Sequence, residues 1–239
     1  VCRESQDGKT RSFDDVCGGA TLDMKAMVLK ELCSIEENHT PLVPMALPEP
    51  EPGEDDILVR VTACGVCHTE LDEIEGRTPP PRLPMVLGHQ VVGVVEETAL
   101  GGSRFETGDR VGIAWVYSAC GTCKNCLTDN ENLCHDNKAT APENNVAYAE
   151  LMAVPEKFAY KIPDVFSDTE AAPLLCAGAI GYRSLRLTGL EDGQKLGLTG
   201  FGASAHLVLK MVKHRYPYTD VYVFARSDAE REFAKELGA

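Results

Sequence analysis

The sequence contains no run of apolar residues long enough to span a bilayer, a task that takes about 20 in a row. Its first 23 residues, VCRESQDGKTRSFDDVCGGATLD, are polar throughout and lack the apolar centre of a secretory signal. Together these gaps lead us to expect a cytoplasmic protein with no membrane partner. Basic residues are scarce too: 23 Lys and Arg stand against 37 Asp and Glu, for a formal charge of −14. That deficit argues against nucleic-acid backbones as partners, because binding them needs cations that displace counterions. The acidity chiefly aids solubility. Internal repeats and low-complexity tracts are also missing.

What is present fits an ordinary globular chain. At 239 residues it suits one large domain or two modest ones, enough to bury a core. Ten cysteines without a signal peptide point to metal or redox chemistry more than to a disulfide framework. The first plausible start is Met24, so residues 1–23 read as an extension. The last residue, Ala239, directly follows a helix-like segment. We therefore expect a fragment of a longer protein, inactive or poorly soluble by itself.

From Met24 to about Pro163 short strands alternate with Gly, Pro and acidic turns. The proline-rich, acidic stretch 41–56 suits loop and edge-strand positions. Segments 57–66, 85–97 and 109–116 read as strands, with Gly88 and Gly93 as bend points. An irregular, mostly antiparallel β domain follows from this pattern. After Pro163 the texture changes. Ser167 precedes Glu170 by three residues, a capping-box signal for a helix start. The strand-like QKLGLT, a glycine turn, an amphipathic helix and the strand VYVFA then make one βαβ unit of a parallel sheet. The fold class is thus mixed β and α/β.

Cys120, Cys123, Cys126 and Cys134 follow the spacing C-x2-C-x2-C-x7-C. Two-residue gaps let neighbouring thiolates face one tetrahedral ion, and a four-thiolate shell is a closed structural zinc site. An iron–sulfur centre also uses four cysteines in dense runs of this kind. Disulfides suit so tight a loop poorly.

Gly200, Gly202 and Ala205 form G-x-G-x-x-A between the strand and the amphipathic helix. The first glycine permits the turn, the second admits a pyrophosphate, and the small third residue lets helix pack on strand. About 20 residues further on, an NAD enzyme places Asp or Glu on the ribose 2′-hydroxyl. Here stand Ala225, Arg226 and Ser227. No carboxylate is there to repel a 2′-phosphate, and Arg226 with Ser227 could bind one, which favours NADP over NAD. The alternative leaves Arg226 pointing to solvent.

The motifs occur in the order CGVCHT, GH, GDRV, the cysteine segment, AAPLLCAG and GFGASA. In that order, from about Met24 to Ala239, the sequence resembles the zinc-dependent medium-chain alcohol dehydrogenases, particularly their microbial branch. The resemblance implies a GroES-like catalytic domain over 24–177 and the first part of a Rossmann domain over 178–239. It implies two zinc ions, a nicotinamide dinucleotide, a small alcohol or aldehyde substrate, and a homo-oligomeric full-length protein.

The resemblance also assigns residues. Cys67, His89 and Cys176 would hold the catalytic zinc, leaving an open fourth position; such a Cys2His site is the general pattern for alcohol dehydrogenases. Taken alone, Cys176 would be a small buried hydrophobe and His89 a structural histidine. The four clustered cysteines would hold the structural zinc. Thr69 would take the alcohol proton, His68 would contact the pyrophosphate, and Trp115 would wall the substrate pocket, though a core aromatic is the plainer reading of Trp115. Glu70 stands where the family usually has the Asp that orients the histidine ligand. Three further positions depart from the pattern. Asp72 replaces a proton-relaying His and is a candidate relay itself. Gln90 replaces a Glu beside the zinc, and Ile180 a Thr beside the nicotinamide. A zinc-free reductase of the same superfamily and a non-catalytic zinc-binding interaction module are the competing readings.

Overall fold

The structure is a computed structural model and describes residues 23–140 and 147–239. The extension expected over residues 1–23 lies outside these except for Asp23. Strand β1 (Asp23–Leu29) alternates as a half-buried strand should, with Met24, Ala26 and Val28 inward and Lys25 and Met27 outward. It pairs antiparallel with β2 (Leu42–Pro48) from Asp23↔Pro48 to Leu29↔Leu42. β2 is an edge strand, where the lost N–H groups of Pro44 and Pro48 cost little.

Most of the β domain is a five-stranded antiparallel sheet. It uses β3 (Asp56–Cys64), β5 (Val91–Glu97), β6 (Arg110–Ile113), β9 (Leu151–Pro155) and β10 (Ala159–Lys161), in the order β10-β6-β5-β3-β9. Ile57, Val59, Val91, Val95, Val111, Ile113, Met152 and Val154 form its core. The short β4 (Met85–Val86) joins β1 in the first sheet. β7 (Val116–Ser118) and β8 (Lys138–Ala139) pair at the base of the cysteine segment.

The backbone of Tyr148–Glu150 joins the two larger sheets. Met27 donates to Tyr148 O at 2.8 Å, Glu150 donates to Lys25 O at 3.0 Å, and Val61 donates to Glu150 O at 2.9 Å. Gly93 lies at a bend, opposite Val61 where the β3–β5 register shifts. A Cβ there would lie 2.4 Å from the carbonyl oxygen of Arg60, so only glycine permits this approach.

The helical half begins where the capping box predicts. Ser167 caps Asp168–Ala171 and exchanges hydrogen bonds with Glu170. The helix does not continue through the Ala- and Leu-rich segment. Pro173 supplies no N–H, and the chain tightens into a 3-10 turn over Ala172–Leu175. A new helix runs over Ala177–Thr188, after Cys176 at φ −124° and ψ −76°. Strand β11 (Lys195–Thr199), helix Ala203–Arg215 and strand β12 (Asp220–Phe224) then complete a parallel βαβ unit. Leu185 shares a core with Val208, Leu209, Leu196 and Val221, so helix Ala177–Thr188 packs on this unit. A last helix, Asp228–Glu236, follows. Among the described residues no helix is long and apolar enough to cross a membrane.

Candidate metal centres and nucleotide cleft

Three segments distant in sequence meet beside the five-stranded sheet. Cys67 is the N-cap of helix His68–Ile74. His89 lies in the break between β4 and β5, beside the bend expected at Gly88 within 85–97. Cys176 marks the second helix break. The Sγ atoms of Cys67 and Cys176 are 3.8 Å apart, and the ligand atoms of all three residues lie within 4.8 Å of one another. Bonds of about 2.3 Å to one tetrahedral zinc would separate two sulfurs by about 3.8 Å. His89 is 1% exposed, and its Nε2 is buried without a hydrogen-bond partner. A buried nitrogen without a partner is costly, and a metal ion here would satisfy it. The three residues therefore fit a zinc ion.

Glu70 fixes the arrangement. It is 2% exposed, and its Oε1 lies 2.6 Å from Nδ1 of His89. Its Oε2 accepts from the backbone N–H of Cys67 at 2.7 Å. The Glu in place of the usual Asp thus reaches its histidine, and it also completes the capping box of the Cys67 helix. Burial opposes charging His89, but the neighbouring Cys176 thiol and Glu70 carboxylate outweigh it and lift its pKa to about 10. Burial would likewise raise the Cys67 thiol. Hydrogen bonds from Thr69 prevail and hold it below its ordinary value.

Around this trio the other expected residues divide. Thr69 Oγ1 is 3.6 Å from Cys67 Sγ. Trp115 meets the His89 ring edge-on, with centroids 4.9 Å apart, and is 41% exposed, so it is not a core aromatic. Gln90 is buried beside the Gly65 turn. Ile180 is exposed on helix Ala177–Thr188. Asp72 faces outward, 3.6 Å from His68 Nε2 and 2.5 Å from Nε of Arg77. Sequence reading missed Arg77, because a charge in a turn gives no sign of its partner.

The second group is the cysteine segment. Cys126 Sγ lies 3.9 Å from that of Cys120 and 3.6 Å from that of Cys123, and all four sulfurs fall within 4.8 Å of one another. These distances suit neighbouring corners of one ion's shell and exceed the sulfur–sulfur bond of about 2.0 Å. A multi-iron cluster places its thiolates on different irons and would spread them further, so the geometry favours a single ion. Backbone N–H groups of Thr122 and Cys123 hold the Cys120 thiol down at about 6.

Between the trio and the βαβ unit lies a cleft of about 540 Å³. Val66, His68, Gln90 and Ala177 line one side, and Gly200 and Gly202 the other. Gly200 takes φ +78°, as the tight turn requires, and Gly202 is the N-cap of helix Ala203–Arg215. Arg226 and Ser227 follow β12, but the Ser227 hydroxyl caps helix Asp228–Glu236 and is bonded to Glu230. Arg231 donates to the carbonyls of Ala225 and Arg226, another contact that sequence reading missed.

Comparison with known proteins agrees with this picture. A family model described as "Alcohol dehydrogenase GroES-like domain" matches residues 53–164. The chain is 45% identical over 195 residues to a probable alcohol dehydrogenase AdhA of Mycobacterium tuberculosis, covering 80% of this chain and 56% of that one. It is 38% identical over 206 residues to an alcohol dehydrogenase of Geobacillus stearothermophilus, covering 86% and 60%. A putative zinc-binding dehydrogenase from Sinorhizobium meliloti, solved bound to NADP, superposes with a TM-score of 0.76 at 28% identity, covering 91% and 60%. The chain thus spans a little over half the length of these relatives.

Proposed function

The chain belongs to the zinc-type medium-chain alcohol dehydrogenase family, and from that membership we propose that the whole protein moves a hydride between a primary alcohol or its aldehyde and a nicotinamide dinucleotide. The observation that carries this reading is the buried, partnerless Nε2 of His89 facing the thiols of Cys67 and Cys176. Zinc held by these three residues would supply a Lewis acid for the alcohol oxygen. The dinucleotide would supply the hydride carrier.

The chain's own residues do the rest. Thr69 can accept the alcohol proton at Oγ1 while releasing its own, since a hydroxyl both accepts and donates. Asp72, one residue beyond Leu71 on the same helix, offers a carboxylate at the protein surface toward which that proton can leave. His68 puts an imidazole at the cleft, where it would meet the pyrophosphate together with the N–H groups of helix Ala203–Arg215. Trp115 braces the His89 ring and walls the substrate side. Gln90 can hydrogen-bond beside the metal site but cannot offset the charge of the metal. Residues 24–177 act as the catalytic domain and 178–239 as the first part of the nucleotide domain. Cys120, Cys123, Cys126 and Cys134 hold a second zinc, which fixes a segment with little core of its own. With Arg226 as the cation at the ribose end, NADP is favoured over NAD.

The test is an activity screen of the whole protein across short, long and aromatic alcohols with NAD and NADP, with zinc measured in parallel. Alcohol oxidation that depends on dinucleotide and zinc is expected. A protein that binds zinc and dinucleotide but turns over no alcohol or aldehyde would refute the reading.

A further inference from the structure

The end of β12 determines which dinucleotide the cleft accepts, and its chemistry is divided. The N–H of Gly200 donates to Phe224 O at 2.8 Å, so residues 225–227 begin directly beside the glycine turn. In a βαβ dinucleotide fold, the 2′ position of the adenosine ribose is read here. Ala225, Arg226 and Ser227 carry no carboxylate, but folding brings one in from the next helix. Glu230 Oε2 lies 2.8 Å from Ser227 Oγ and accepts from Ser227 N at 3.4 Å, while Glu230 N donates to Ser227 Oγ at 3.2 Å. The Ser227 hydroxyl is therefore already both donor and acceptor within the chain. Arg231 is committed as well: it donates to Ala225 O at 2.6 Å and Arg226 O at 2.9 Å and pairs with Asp228.

Resting on the dinucleotide reading above, we propose that Glu230 is a specificity-determining residue, whose carboxylate occupies the Ser227 donors that a 2′-phosphate would need. It stands in for the acidic residue missing from the strand end: it can accept a ribose 2′-hydroxyl and it repels a 2′-phosphate. Arg226 pulls the other way. The preference for the phosphorylated cofactor is thus a contest between Arg226 and Glu230, and Glu230 keeps the unphosphorylated one competitive.

Glu230→Gln tests this cleanly, because glutamine keeps the capping box and removes only the charge. The zinc-loaded full chain and the variant are titrated with 2′,5′-ADP and 5′-AMP by calorimetry, and their folding is compared by circular dichroism. Removing a carboxylate beside a phosphate should tighten 2′,5′-ADP binding about tenfold, while 5′-AMP, whose 2′-hydroxyl the glutamine oxygen can still accept, gains nothing. Arg226→Ala should weaken 2′,5′-ADP alone. An unchanged ratio of the two affinities in Glu230→Gln, with 5′-AMP still bound, overturns the role of Glu230 and spares the dinucleotide reading. Failure of wild type and variant to bind either nucleotide or NADH overturns both.

Discussion

Glu70 and His89 are buried against each other, Oε1 to Nδ1 at 2.6 Å, while the other oxygen of Glu70 holds the backbone N–H of Cys67 at 2.7 Å. One carboxylate thus sets the ring orientation of one proposed ligand and the backbone of another. Groups that orient a metal's ligands typically contribute 10–100-fold to affinity. Glu70→Ala should weaken zinc binding at the trio by about that factor, while the four-cysteine segment keeps its ion. Competition with a chromogenic chelator measures both, and equal loss at the two sites would contradict the assignment.

In the whole protein, Cys67→Ser should lower zinc content by one ion per chain and abolish the proposed alcohol turnover. Cys126→Ser should also remove one ion, but its main effect should be faster proteolysis within 119–138 and a lower Tm. Metal analysis with limited proteolysis separates the two. If Cys67→Ser retains full turnover, the trio is not the reactive centre.

Gly93→Ala tests the bend between β3 and β5. The added methyl would sit 2.4 Å from the Arg60 carbonyl and 2.5 Å from Val59 Cγ1, and backbone cannot step aside as a flexible side chain can. Overpacking of this kind costs about 1–3 kcal/mol, to be read as a lower midpoint in urea unfolding. Gly102→Ala, at a position where nothing lies within 4 Å, is a comparison for crowding alone, although its φ of +99° adds backbone strain.

Glu73 supplies a pH dependence. It is 4% exposed, and burial, followed by the neighbouring charge of Glu70, raises its carboxyl to about 7 from an ordinary 4.5. The folded protein therefore keeps a proton that the unfolded chain has lost. The resulting stability is fully present below about pH 4.5 and is lost as pH rises through about 7. Glu73→Gln should flatten that slope and stabilise the protein at pH 8 by roughly 3 kcal/mol. Equal slopes for wild type and variant in denaturation between pH 4 and 8 would show that Glu73 does not titrate in this range.

Much of this was legible in the sequence because it rests on local signals. The four cysteines are close neighbours in the chain, the Ser167–Glu170 pair caps a helix as its spacing indicates, and β11, the glycine turn and β12 follow one another directly. The trio was legible only through the order of motifs, since nothing near Cys176 distinguishes it from a buried helical cysteine. What escaped reading depends on distant parts of the chain. The capping box marks where a helix starts after Ser167 but not that Pro173 and the non-helical Cys176 divide the segment that follows. The Ser227 hydroxyl suggested an anion contact and is instead engaged by Glu230, because in a helix's first turn a nearby carboxylate reaches the cap before any ligand does.

The broken helix at Cys176 has a mechanical consequence. The residue is bonded through the chain to helix Ala177–Thr188, whose Leu185 is packed into the nucleotide half, while Cys67 and His89 belong to the β half. An ion gripping all three would work as a rivet through the seam between the halves. Strip it out, and the two halves should begin to swing against each other before either one melts.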